Sequence, residues 1–199
     1  NAQCTHTATC CEVDDACNDG DDLCTLEACI AETCETTYTL APTCCESAPH
    51  TGTFEPTAPL WTTPASELDC LWHISALQAK SGAHALHYGD PVSGSYDCGQ
   101  SAGAVTSPPF EIPGGTHTSL QASLWMDVGS GTTQDMLSLW ILTAKGDHEL
   151  WRKTSAYEME QWHTLTLNLG AFGGQNVQLS WRFDTITSIA NDGAGIFVD

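Results

Sequence analysis

The stretch Cys10 to Cys45, CCEVDDACNDGDDLCTLEACIAETCETTYTLAPTCC, holds eight of the chain's 11 cysteines and is bracketed by the vicinal pairs Cys10-Cys11 and Cys44-Cys45. Between the brackets run Cys17, Cys24, Cys29 and Cys34. A segment this short, with almost no Leu, Ile, Val or Phe, cannot bury enough apolar surface to offset its chain entropy. Covalent or ionic bonds must make up the difference. Disulfides contribute roughly 2–4 kcal/mol each, and a cation in the acidic loop Asp14 to Asp22 would add to that.

Zinc sites usually pair their thiolates as CxxC or CxxxC, and neither spacing occurs here. The cysteines therefore read as disulfides, which places the chain outside a reducing cytosol. Eleven is an odd number. One thiol stays free, or one cysteine pairs with its own copy, and Cys4, outside the bracketed segment, is the candidate.

Nine cysteines fall in the first 45 residues and only Cys70 and Cys98 in the rest, whereas six of the seven tryptophans lie beyond Trp61. The division predicts a disulfide-rich, calcium-binding module over 1–48 and a β domain over 49–199. Residues 35–43 read as a loop inside the module, and the Thr- and Pro-rich residues 47–66 as a linker.

With 25 acidic residues against five basic ones, the formal charge is −20. No basic patch can be assembled, so nucleic acid is excluded as a partner, and an anionic membrane surface with it. No run of 18 apolar residues is present, so no helical span is expected. The absence of a signal peptide at Asn1 makes the sequence read as a mature piece of something longer.

From residue 69 on, the dominant period is two. Leu120, Ala122, Leu124 and Met126 alternate with Gln121, Ser123, Trp125 and Asp127; Leu137, Leu139 and Ile141 repeat the pattern, as do Val177, Leu179, Trp181 and Phe183. Such alternation marks strands with one buried face. Turn signals such as Gly89-Asp90-Pro91, Gly129-Ser130-Gly131 and Gly146-Asp147 separate the runs. Nine or ten strands at this spacing make an antiparallel sandwich. A short helix has room only at Ala65 to Leu71, and Cys70 and Cys98 are expected to join two strands.

The segments ALHYGDPVSGSYDCG, TSPPFEIP, SLWMDV, WHTLTLNLGAFGGQNVQLSWRFDT and NDGAGIFVD, in that order, resemble the MAM-like jelly-roll domains of secreted bacterial surface proteins. The run Asp19-Gly20-Asp21-Asp22-Leu23-Cys24-Thr25 is similar to the DG-x-x-CT core of the Cys-rich repeats that precede such domains. The resemblance implies an all-β antiparallel jelly roll, extracellular or cell-surface display and no catalytic residues. It also implies a structural calcium near the first and last strands, at Glu55 and Asp199.

Asp14, Asp15, Asn18, Asp19, Asp21, Asp22 and Glu27 supply hard oxygen ligands at a density that suits Ca²⁺. The EF-hand pattern fails: Cys17 takes its third ligand position, and Leu26 falls where the bidentate Glu belongs. Asp90 is a further candidate ligand. Asp90, Asp127, Asp135, Asp184 and Asp192 also fit simple turn chemistry. His84 and His87, three apart on a strand, face opposite sides and do not share an ion.

Trp125, Trp140, Trp151 and Trp162 are candidates for a sugar-stacking platform or a subunit contact, with core packing the better reading for Trp162 and Trp181. Nucleophile elbows, zinc-protease motifs and phosphate loops are absent from the sequence.

Two functions follow as expectations. The first is a non-enzymatic extracellular building block of a surface filament or layer, rigidified by disulfides and calcium, whose partners are copies of itself joined head to tail. The alternative is a carbohydrate-binding or adhesive module of a secreted protein. The terminal GIFVD reads as a strand without a cap and predicts an unpaired edge open to a neighbouring copy.

Overall fold

The computed structural model describes residues 25–30, 33–38, 54–55, 61–63, 70–114, 118–189 and 191–199. The chain divides into two compact units, Asn1–Thr51 and Gly52–Asp199. In the first, β1 (Thr25–Ile30) pairs antiparallel with β2 (Thr33–Tyr38), Cys29 standing opposite Cys34. Residues 35–38, read from sequence as loop, belong to β2.

The second unit contains β3 (Leu71–Ser75), β4 (Ala85–Gly89), β5 (Ala102–Thr106), β6 (Phe110–Glu111), β7 (Ser119–Asp127) and β8 (Met136–Thr143). It continues with β9 (Gly146–Arg152), β10 (Trp162–Asn168), β11 (Asn176–Asp184) and β12 (Gly195–Val198). One sheet runs β10-β7-β12-β4-β3. The other runs β5-β11-β8-β9, with β6 also on β11. Every pairing is antiparallel. The architecture is the expected all-β antiparallel sandwich. Its non-strand regular element among the described residues is the 3-10 turn Gly170–Phe172.

The alternating apolar residues meet between the sheets. Leu137, Leu139 and Ile141 of β8 and Leu124 and Met126 of β7 have no exposed surface, and Val177, Leu179, Trp181 and Phe183 of β11 are buried beside them. Full burial of such a side chain contributes about 1.5–3 kcal/mol, so a one-residue slip of β11 would send four of them into water.

Two expectations need correction. The last strand is not an edge: β12 lies between β7 and β4, with Phe197 opposite Trp125 on one side and His87 on the other. Pairing on both sides satisfies its backbone groups within the sheet. Entry into β12 is through Gly195 at φ 80°, where a Cβ would collide with the Tyr88 carbonyl oxygen. The disulfide Cys70–Cys98, Cα atoms 5.8 Å apart, joins the residue just before β3 to the β4–β5 loop, not strand to strand. Leu71 begins β3, and residues 65–69, where a helix had room, lie outside the described residues.

Candidate functional site

Alternation along β11 sends Gln178, Ser180, Arg182 and Asp184 to the outer face of its sheet. The register sets Arg182 between Ala104 and Ser138, and Asp184 between Ala102 and Met136. On β9 the pairing shifts between Leu139 and Trp140. Trp151 stands opposite core-facing Leu139, Glu149 opposite Trp140, and Leu150 is the extra residue of a β-bulge. The small side chains of β5 leave a groove of about 500 Å³ over this face, lined among others by Ala104, Met136, Ser138, Arg152, Arg182 and Asp184.

The groove's polar groups are positioned in advance. The Arg182 guanidinium lies 4.5 Å from the Trp140 ring centroid, and its Nη2 donates to Asp147 Oδ2 at 2.6 Å. Trp140 Nε1–H donates to Ser138 Oγ at 2.9 Å, which fixes the ring that supports Arg182. Arg152 forms a two-pronged pair with Glu149, Nε to Oε1 at 3.0 Å and Nη2 to Oε2. The pair holds the Arg152 guanidinium above its ordinary pKa. Five basic residues serve the whole chain, and Arg152 and Arg182, its two arginines, both line this groove.

The four candidate tryptophans are not one platform. Trp140 lies on the outer face beneath Arg182, whereas Trp151 turns inward, its ring 6.1 Å from Trp181 and its Nε1–H donating to Tyr157 Oη at 2.8 Å. Trp125 and Trp162 stand opposite each other on the outer face of the other sheet. Trp162 is therefore not a core residue, while Trp181 is.

A row of rings continues from that pair. Phe197 contacts Trp125 edge-on at 5.5 Å and stacks on His87 at 4.1 Å, and His87 meets His73 at 4.9 Å. His87 is fully buried; its Nε2 is 2.8 Å from the Ala194 carbonyl and its Nδ1 3.3 Å from His73 Nε2. Desolvation lowers its pKa from 6.5 to about 4. His84, before β4, pairs with Glu55 instead, so the two histidines do serve different partners.

Glu55 and Asp199 converge on the β3–β4 loop. Glu55 Oε1 accepts from the Ala83 and His84 amides at 2.7 and 3.2 Å, and Oε2 is 2.9 Å from His84 Nδ1. The Ala83 bond, then His84, holds the Glu55 carboxyl below its ordinary range. Asp199 Oδ2 accepts from the Lys80 and Ser81 amides at 2.7 Å each, and Ser81 Oγ–H donates to Oδ1 at 3.1 Å. In this geometry the two residues brace the β3–β4 loop.

Asp90 closes its own turn, accepting from Val92 and Ser93 amides at 2.6 and 3.0 Å; those bonds, Ser93 first, lower its pKa. Asp127 and Asp184 likewise accept from Ala194 and Ile186 amides. No group of three or more His, Cys, Asp or Glu is placed to hold a metal among the described residues. Asp15, Asn18, Asp19, Asp21 and Asp22 lie outside the described residues, and Glu27 sits on β1 opposite Thr36.

Sequence reasoning missed Arg182, Asp147 and Arg152. Arg182 was legible only as the polar half of an alternating strand, and the β8–β9 pairing that brings Asp147 to it is not encoded in any local spacing.

No family model matches the chain, and no curated protein matches it. Among solved structures, one described as explaining the promiscuous specificity of carbohydrate-binding modules of the β-sandwich superfamily aligns with a TM-score of 0.50 at 15% identity, over 88% of this chain and 70% of that one. A module in complex with β-1,4-galactotriose aligns at 0.46 and 12% identity, over 74% and 87% of the two chains. A xylan-binding domain aligns at 0.45 and 14%, over 76% and 90%. The first of these likenesses is one of fold: the chain shares the β-sandwich of such modules.

Proposed function

We propose that the β-sandwich unit is a non-catalytic carbohydrate-binding module and that its ligand lies in the groove over β5, β11, β8 and β9. The observation that carries the reading is Arg182, held from beneath by Trp140 and from the side by Asp147. Sugar hydroxyls both donate and accept. A guanidinium whose orientation is already fixed offers them paired donors at little entropic cost, the neighbouring carboxylates accept, and Ala104 and Met136 meet the apolar C–H faces of a ring. The sandwich fold shared with carbohydrate-binding modules supports the same reading. The Cys70–Cys98 disulfide supports an extracellular setting, and no helix among the described residues is long and apolar enough to cross a membrane.

The test is affinity electrophoresis through gels containing single soluble polysaccharides. Retardation of the native chain by at least one of them, lost in Arg182→Ala, supports the module. Equal mobility of both proteins in every gel sinks it.

Calcium and head-to-tail assembly are separate proposals that rest on sequence. The acidic stretch Asp14 to Asp22 would be stabilised by about 2.7 kcal/mol at a hundredfold excess of Ca²⁺ over Kd, so melting should fall in EDTA, with calcium present by elemental analysis. Electron microscopy of the native material shows directly whether copies of the chain polymerise.

A further inference from the structure

Ile186 has φ 63°, a left-handed backbone conformation that β-branched residues rarely adopt. Two other non-glycine residues of the described chain share that region, Asp135 and Glu160, and neither is β-branched. Strain of this kind persists only where the surroundings over-determine it. They do so here. The Ile186 amide donates to Asp184 Oδ1 at 2.8 Å, and the Thr187 amide donates to the Thr185 carbonyl at 2.6 Å. Fully buried Thr185 is latched to Ser101: its amide donates to the Ser101 carbonyl at 2.9 Å, and its Oγ1 accepts from the Ser101 amide, also at 2.9 Å.

The strained conformation does not hide the side chain. Ile186 is 38% exposed and lines the groove, at the end of the strand that supplies Arg182 and Asp184. A conformation adopted for folding alone would be expected to bury the isoleucine or to be occupied by glycine or asparagine. We propose that Ile186 is a ligand-contacting residue of the groove, an apolar rim against which the C–H face of a bound pyranose ring packs while Arg182 takes its hydroxyls. This rests on the carbohydrate-binding reading of the groove.

The experiment first screens the native chain by affinity electrophoresis against soluble laminarin, xylan, galactan and polygalacturonate. Titration calorimetry then compares Ile186→Asn, Ile186→Gly and Ile186→Val on whichever polysaccharide retards the native protein. Asn and Gly tolerate positive φ, so both variants should melt no lower than the native protein yet bind at least fivefold more weakly. Val keeps an apolar branched side chain and should bind within twofold of native. Native affinity in Asn and Gly, or a lowered melting temperature in both, overturns the role given to Ile186 while leaving the module reading intact. Failure of the native chain to bind any of the four polysaccharides overturns the module reading, and this inference with it.

Discussion

Arg182 of β11 and Trp140 of β8 are two residues out of register, diagonal neighbours on one face, and the guanidinium reaches across to lie 4.5 Å from the indole centroid. The tryptophan therefore does not present a bare face to solvent on that side. It supports a cation that Asp147, from β9, holds laterally. This arrangement makes the groove hydrogen-bond-led, with the aromatic ring as a base for the arginine.

The first prediction follows from that dependence. Trp140→Ala leaves Arg182 in place but unsupported, and should weaken polysaccharide binding about tenfold, equivalent to about 1.4 kcal/mol. Arg182→Lys keeps the charge but loses the planar fork, and should weaken binding by a similar factor. Calorimetric titration checks both; full affinity in Arg182→Lys would show that charge alone matters.

The second concerns acid. His87 is buried against Phe197 and His73, with Ala194's carbonyl at its Nε2. The unfolded chain takes up its proton near pH 6.5 and the native chain only near pH 4. Stability therefore falls as pH falls through that window, by about 3 kcal/mol for this group. Urea unfolding of native protein and His87→Gln at pH 7 and pH 4 measures it. The variant should show a smaller acid-side loss, and equal losses would refute the assignment.

The third concerns the disulfide. Cys70–Cys98 closes a sequence separation of 28 residues, and its removal in Cys70→Ala/Cys98→Ala should cost about 3 kcal/mol. For a unit of this size that lowers the melting temperature by roughly 6–12 °C, readable by calorimetry.

The fourth concerns two buried groups of opposite charge. Lys153 is 4% exposed, its Nζ donating to the carbonyls of Gly129 and Gly131, while Asp135, 2% exposed, accepts from the Gly129 amide and the Tyr96 hydroxyl. Burial lowers the Lys153 pKa and raises that of Asp135. Lys153→Met leaves the Gly129 and Gly131 carbonyls without their donor and removes the positive charge near Asp135, and should cost about 3 kcal/mol. Adding Asp135→Asn should return part of that loss in a double-mutant cycle, and strict additivity would show that the two do not interact.

Much of the fold was legible because its cause is local. Period-two alternation in Leu120–Asp127, Leu137–Ile141 and Val177–Asp184 assigns strands and names their buried residues without reference to any partner. The sequence could not choose which strands pair. GIFVD reads as a free end because a strand's neighbours are not written in it, yet β12 is the centre of its sheet.

The candidate site was less legible. Trp125, Trp140, Trp151 and Trp162 are alike as residues; the β-bulge in the β8–β9 pairing turns Trp151 inward, and sheet membership separates Trp140 from Trp125 and Trp162. Glu55 and Asp199 lie far apart in the chain, and only the folded structure brings both carboxylates to the amides of the β3–β4 loop. The sequence by itself determined the strand character of the second unit, its buried face and its acidic surface, since each depends on spacing or composition within a few residues. Only the tertiary structure decided that Arg152, Arg182 and Ile186 line one groove and that Asp147 meets Arg182 on the same face, because that depends on pairings between strands far apart in the chain, which no local interaction specifies.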